Sequence, residues 1–201
     1  MKKIVCLFLA FILIMAVGCG GKKADGDTSP EASSTYKGTI SIPEDIPKSF
    51  ILAPTQNTSW STELTLNKDG TFTGKYHETL PNQMEEGNEY TIIYLCDFEG
   101  YFKDIKKVDE YTYTLTLGEY KTKYALGDEW TEGNVFYQST EPFGISEGQE
   151  FGLYLPGKIT GALPDNFLMW VAHKINNGKL DTYALHNTAN GYGFVEVNQT
   201  I

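Results

Sequence analysis

The chain has 201 residues, with 16 lysines and no arginine against 26 carboxylates, for a formal net charge of −10. That balance excludes the usual nucleic-acid binder, which neutralises phosphates with a basic patch and arginine forks, and it excludes adhesion to an anionic lipid surface by charge alone. Hydrophobic residues make up 41%, with 13 Tyr, 11 Phe and 3 Trp, which is enough for a real core in one domain of ordinary size and excludes a wholly disordered chain.

Met1, Lys2 and Lys3 give a positive start, and residues 4–17, with Cys6 among them, form an unbroken apolar run of 14. Spanning a bilayer takes about 20 residues, so the run reads as the core of a signal peptide. Ala16, Val17, Gly18 and Cys19 close it. This AVGC resembles the lipobox of bacterial lipoprotein precursors, although the family prefers leucine where Ala16 stands. The resemblance implies a signal peptide over 1–18, cleavage between Gly18 and Cys19, and Cys19 as the lipidation site, carrying acyl chains of the palmitate class. Two acyl chains are enough for stable membrane residence. The implied location is the bacterial cell envelope: the protein is lipid-anchored at the cell membrane on its extracytoplasmic face, and the membrane is a partner through Cys19. Loss of Lys2 and Lys3 leaves 14 lysines against 26 carboxylates, a mature charge of −12.

Residues 20–38 show no apolar periodicity and consist largely of Gly, Ser, Thr, Lys, Asp, Ala and Pro. With the lipidated Cys19 they form a flexible tether over 19–38, whose mean reach as a random coil is on the order of 25 Å. A single antiparallel β domain is expected over 39–201. A first strand falls near 49–53. Trp60, Thr62, Leu64 and Leu66 then alternate with Ser61, Glu63 and Thr65. After the turn signal Asn67–Gly70, Phe72, Gly74 and Tyr76 alternate with Thr71, Thr73, Lys75 and His77. Two half-buried arms around an Asp-Gly turn predict a hairpin. The acidic run over 82–89 reads as a solvated loop.

Further on, Tyr90, Ile92, Tyr94, Cys96, Phe98, Gly100 and Phe102 share one face of a longer strand. Ile93 and Leu95 make part of its other face apolar, so that part is expected to be covered on both sides. Gly100 predicts a bulge or a change of sheet. Tyr111, Tyr113, Leu115 and Leu117 form the inward face of the next strand. More strands are expected near 134–138, 150–155, 182–187 and 191–197. One helix is expected with Asp165 as N-cap, Phe167, Leu168, Val171, Ala172 and Ile175 on its apolar stripe, and Gly178 as its stop. Eight to ten short strands and one short helix make a mostly β fold. Because the hairpins run in sequence, the expectation is an antiparallel meander closing as a β-barrel, with a β-sandwich as the alternative.

The segments SFILAPTQNTSWSTELTLNKDGTFTGKY, CDFEGYFKDIKKVDEYTYTLTL and FGLYLPGKITGALPDNFLMW together resemble a group of uncharacterised bacterial lipoproteins, which has no established activity to carry over. The strand–turn–strand opening resembles, more loosely, lipocalin-like barrels.

Chemistry is sparse. Residues 144–148, GISEG, match the G-x-S-x-G pattern of serine hydrolases, with Asp165 and His173 or His186 following in hydrolase order. That motif needs a helix after the serine to serve the oxyanion, whereas a strand is expected there. His77, His173 and His186 lack paired metal-ligand spacing. Asn67–Gly70 lacks the flanking acids of a calcium loop. Divalent-cation binding by the 82–89 run is the sharper reading of those acids. No phosphate loop or dinucleotide fingerprint occurs. The expectation is therefore no catalytic residue, no cofactor and no metal. Cys96 reads as a buried apolar residue, with no internal disulfide.

The aromatic excess leaves one functional signal. Trp60, Trp130, Trp170 and the inward tyrosines either fill the core or line a ligand site. The leading expectation is a non-enzymatic binding or interaction module whose ligand is a small apolar molecule, a glycan or a protein, with no nucleic acid. A cavity lined by Trp60, Tyr76, Tyr94 and Tyr113 would mark it. The alternatives are a serine hydrolase at Ser146 and a structural envelope protein without a small ligand.

Overall fold

The computed structural model describes residues 42–46, 48–54, 59–85 and 87–197. The expected signal peptide over 1–18 and the whole of the expected tether over 19–38, Cys19 included, lie outside the described residues. Twelve strands are present among those described: β1 (Lys48–Leu52), β2 (Trp60–Leu66), β3 (Thr71–Glu85), β4 (Asn88–Asp109), β5 (Thr112–Thr122), β6 (Glu129–Glu132), β7 (Val135–Ser139), β8 (Glu150–Tyr154), β9 (Ile175–Asn176), β10 (Lys179–Leu180), β11 (Ala184–Asn187) and β12 (Tyr192–Val197). One helix, α1, covers Asp165–Val171.

Eight of the strands form a closed ring. β1 to β5 pair in succession as a meander, β5 pairs with β8, β8 with β11, β11 with β12, and β12 returns to β1; every pairing in the ring is antiparallel. The protein is thus mostly β and barrel-like. Closure removes the free edges that an open sheet would expose.

Alternation explains the wall. Phe50, Leu52, Leu64, Leu66, Phe72, Phe98, Phe102, Leu115, Phe151, Leu153, Leu185 and Phe194 are buried in one continuous cluster inside the ring. Each such side chain contributes about 1.5–3 kcal/mol by leaving water. The hairpin turn is as the sequence predicts: the Gly70 amide donates to the Asn67 carbonyl at 3.0 Å, and Leu66 stands opposite Phe72. The predicted bulge is also present, since the β4–β5 register shifts between Gly100 and Phe102.

Two strands are far longer than expected, β3 with 15 residues and β4 with 22. Their outer halves run beyond the wall as one hairpin that continues to the Glu85–Asn88 pair. The described residues of the acidic run, 82–85 and 87–89, therefore belong to the end of this hairpin rather than to a loop. β7 lies parallel to β4 over Thr91–Leu95, and β6 pairs with β7. The result is a four-stranded wing. β4 belongs to both parts, with β7 beside its first half and β5 beside its second. This accounts for the second apolar face of β4: Ile93 stands opposite Tyr137, whose ring stacks on Trp130 at 5.1 Å.

The helix is shorter than its stripe suggests. Pro164, not Asp165, is the N-cap, and Asp165 is the first helical residue. Proline's fixed φ sets the entry, and the Phe167 amide of the first turn donates to Oδ1 of Asn166 at 3.0 Å. The chain tightens to a 3-10 turn over Ala172–Lys174, Ile175 enters β9, and Gly178 belongs to the β9–β10 turn. α1 lies on the outside of the wall, where Phe167 and Val171 pack with Tyr154, Ala184 and Val195. Gly193 permits this approach, because a Cβ there would lie 3.0 Å or less from Trp170, Phe167 and Val171.

Candidate functional site

The stretch that carries GISEG closes one end of the ring. It joins the wing to the wall, leaving β7 after Ser139 and entering β8 at Glu150. Ile145 is 0% exposed within the core, and the Thr62 hydroxyl donates to the Phe143 carbonyl at 2.8 Å. The Asn187 amide donates to the Gly144 carbonyl at 2.9 Å. Gly144 adopts φ +81°, and a Cβ there would lie 2.6 Å from Leu52, so only glycine fits this bend. The segment is a plug.

Ser146 sits in this plug, half-buried, and the strand β8 follows it rather than a helix. The histidines are occupied elsewhere. Nδ1 of His77 lies 3.4 Å from the Ser61 hydroxyl, directly across the β2–β3 pair. His173 lies in the 3-10 turn after α1. His186 is 3% exposed and its Nδ1 lies 3.2 Å from the Tyr154 hydroxyl.

Aromatic rings gather around the plug. Phe143 lies 5.1 Å from Trp60, 5.9 Å from Tyr76 and 4.9 Å from Tyr192 between ring centroids, and Trp170 stands 6.1 Å from Trp60. On the Tyr76 side the plug and the root of the wing bound an open cleft of about 310 Å³. Its lining is Tyr76, Glu78, Tyr94, Thr140, Glu141, Phe143 and Glu147. Glu78 and Tyr94 face each other across β3 and β4. The volume is at the low end for small-molecule pockets.

Of the four aromatics expected to share a cavity, the structure brings Tyr76 and Tyr94 together at this cleft. Trp60 packs edge-on against Phe143 without lining the cleft, and Tyr113 is buried in the core. Trp130 belongs to the wing, stacked with Tyr137 and 4.9 Å from Tyr124. Sequence reasoning missed Glu78 on β3 and, in the plug segment, Thr140, Glu141, Phe143 and Glu147. For the segment the available signal was a pair of apolar residues, Phe143 and Ile145, inside an otherwise polar stretch.

The cleft is electronegative. Burial, then the Glu78 and Glu147 carboxylates, hold the Tyr76 hydroxyl above the usual phenol range. Burial, then Glu141, do the same to Tyr120, and burial with Glu147 raises Tyr192. Behind the cleft lies Cys96, 1% exposed, its thiol pushed up to about 12 by burial and by the Glu141 and Asp97 charges. The thiolate is the reactive form. Alkylation of Cys96 at pH 8 is therefore expected to be slower in the native protein than in concentrated urea by about a hundredfold or more. Immediate labelling of the native protein would place the thiol at the surface.

Compared with family models, curated proteins and solved structures, the chain finds no match.

Proposed function

We propose that the chain is a membrane-anchored, extracytoplasmic lipoprotein that acts as a non-enzymatic binding module through the cleft beside its plug. The observation that carries the binding reading is that cleft. Tyr76, Tyr94 and Phe143 stand half-buried around a cavity at the mouth of a ring whose interior is packed. Aromatic residues that only filled the core would lie inside the ring. The place of Ser146 in the plug, ahead of a strand, favours binding over acyl transfer, which needs a nucleophile, a base in reach and an oxyanion site. The anchoring reading rests on the short apolar run ending at Cys19.

Each part has its own test. In a bacterial host Cys19→Ser is expected to block thiol acylation and leave unprocessed precursor. A serine variant still cleaved after Gly18 and extracted as an acylated protein would overturn the anchor. For the cleft, the full chain in nonionic detergent and its Tyr94→Leu variant are screened by thermal shift against small molecules of mixed charge and polarity. Compounds that raise the melting temperature of the parent and lose that effect in the variant are expected. A screen in which every compound acts equally on both proteins would sink the cleft as a binding site.

A further inference from the structure

The walls of the cleft define the chemistry of its occupant. Three carboxylates stand around it: Glu78, Glu141 and Glu147. Each accepts a hydrogen bond from within the protein. The Tyr76 hydroxyl donates to Glu78 at 3.0 Å, the Tyr120 hydroxyl to Glu141 at 2.7 Å, and the Gly144 amide to Glu147 at 2.9 Å. None of the ion pairs among the described residues involves any of the three. Three unneutralised carboxylates at one cavity in a protein of net charge −10 select a cation.

The kind of cation follows from how those charges are spread. Hard metal ions require several oxygens converging at about 2.0–2.6 Å. Among the described residues no three His, Cys, Asp or Glu side chains are placed to hold a metal ion. The carboxylates line a cleft without converging on one point, and aromatic rings share that lining. Tyr76 and Phe143 lie 5.9 Å apart and 34° from parallel, with Tyr94 on the same wall. Ring faces attract cations through their quadrupole, and they suit weakly hydrated ammonium groups that lose little on leaving water. A cleft of about 310 Å³ has room for a small molecule of this kind.

We propose that the cleft binds a small organic cation, an alkylammonium group held against Tyr76, Tyr94 and Phe143 and neutralised by Glu78, Glu141 and Glu147. The inference rests on the reading of this cleft as the binding site.

The test is calorimetric titration of the full chain in nonionic detergent with choline, with tetramethylammonium, and with the neutral isostere of choline in which carbon replaces the quaternary nitrogen. Choline is expected to bind at least about tenfold more tightly than its neutral isostere. Tyr94→Leu, and separately the pair Glu141→Gln with Glu147→Gln, are expected to weaken choline about tenfold each. Both glutamates are exposed, and glutamine keeps the oxygen that Gly144 needs, so the urea midpoint of the glutamine pair should match the parent. Equal affinity for choline and the isostere, both lost in Tyr94→Leu, would overturn the cation and leave the cleft a binding site. Choline binding untouched by Tyr94→Leu would place the cation elsewhere and overturn the proposal. Absence of heat from either cation up to about 10 mM would also overturn it, while the mixed-charge screen still decides whether the cleft binds anything.

Discussion

Replacing Leu64 by aspartate should cost the domain about 4 kcal/mol or more, most or all of its stability margin. Leu64 is 1% exposed and stands between Phe50 on β1 and Gly74 on β3. The substitution removes a packed apolar side chain and leaves a carboxylate without a partner inside the ring. Neighbouring Glu63 is exposed on the other face of the same strand, so Glu63→Gln should change stability by about 0.5 kcal/mol or less. Urea unfolding at neutral pH measures both. Equal midpoints would refute the register of β2, since a slip of one residue exchanges the two faces.

The second large effect is a loss of stability in mild acid, traced to His186. Its neighbours across both strand pairs are glycines, Gly152 and Gly193, and Phe167 of α1 covers it with a ring separation of 4.5 Å. Tyr154 satisfies Nδ1, while Nε2 has no hydrogen-bond partner. Burial lowers the imidazole from its ordinary 6.5 to about 4. The folded protein therefore holds His186 neutral, whereas the unfolded chain takes up the proton near pH 6.5. Stability from this site is complete above pH 6.5, declines as pH falls from 6.5 towards 4, and is gone below that. The total is about 3 kcal/mol. Asp69 and Asp109, held below the usual range by hydrogen bonds from Thr71 and from the Tyr111 amide, act only below about pH 4. Between pH 6.5 and 5 the slope of stability against pH should belong mainly to His186, and His186→Gln should flatten it. Parallel slopes for parent and variant would assign the effect to another group.

Much of the wall was legible because β2 to β5 each bury mainly one face. Trp60–Leu66 coincides with β2, the turn at Asn67–Gly70 is in place, and Gly100 marks a real bulge. Alternation exposes such elements because one period decides which side chains leave water. The wing was harder. β6 carries Glu129, Trp130, Thr131 and Glu132, three of them exposed, so no buried face writes a pattern into it. β9 and β10 have two residues each, too few for any period. The helix was found but overrun, because a helical spacing of apolar residues continues through Ile175 although the backbone has already become β9.

Only two of the seven residues that line the candidate site could be seen. Tyr76 and Tyr94 lie on alternating strands, and their inward faces were readable. Phe143, Glu141 and Glu147 reach the same cleft from an irregular segment, and periodicity says nothing about where such a segment settles. The pattern GISEG drew attention to Ser146, while the residues that fix the segment are its neighbours, Gly144 by its backbone angle and Ile145 by burial.

The seam between β1 and β12 separates the order of strands in the wall from their order in the chain. Ser49 pairs with Val197, and at the same seam Lys48 forms a 2.9 Å ion pair with Glu196. The first and last strands of the wall thus start and finish side by side. A short linker across that seam, with new termini opened at the exposed Lys68–Asp69 turn, would leave every wall pairing intact. In such a circular permutant the meander would begin at β3 and end at β2, and the plug would keep its place between β7 and β8.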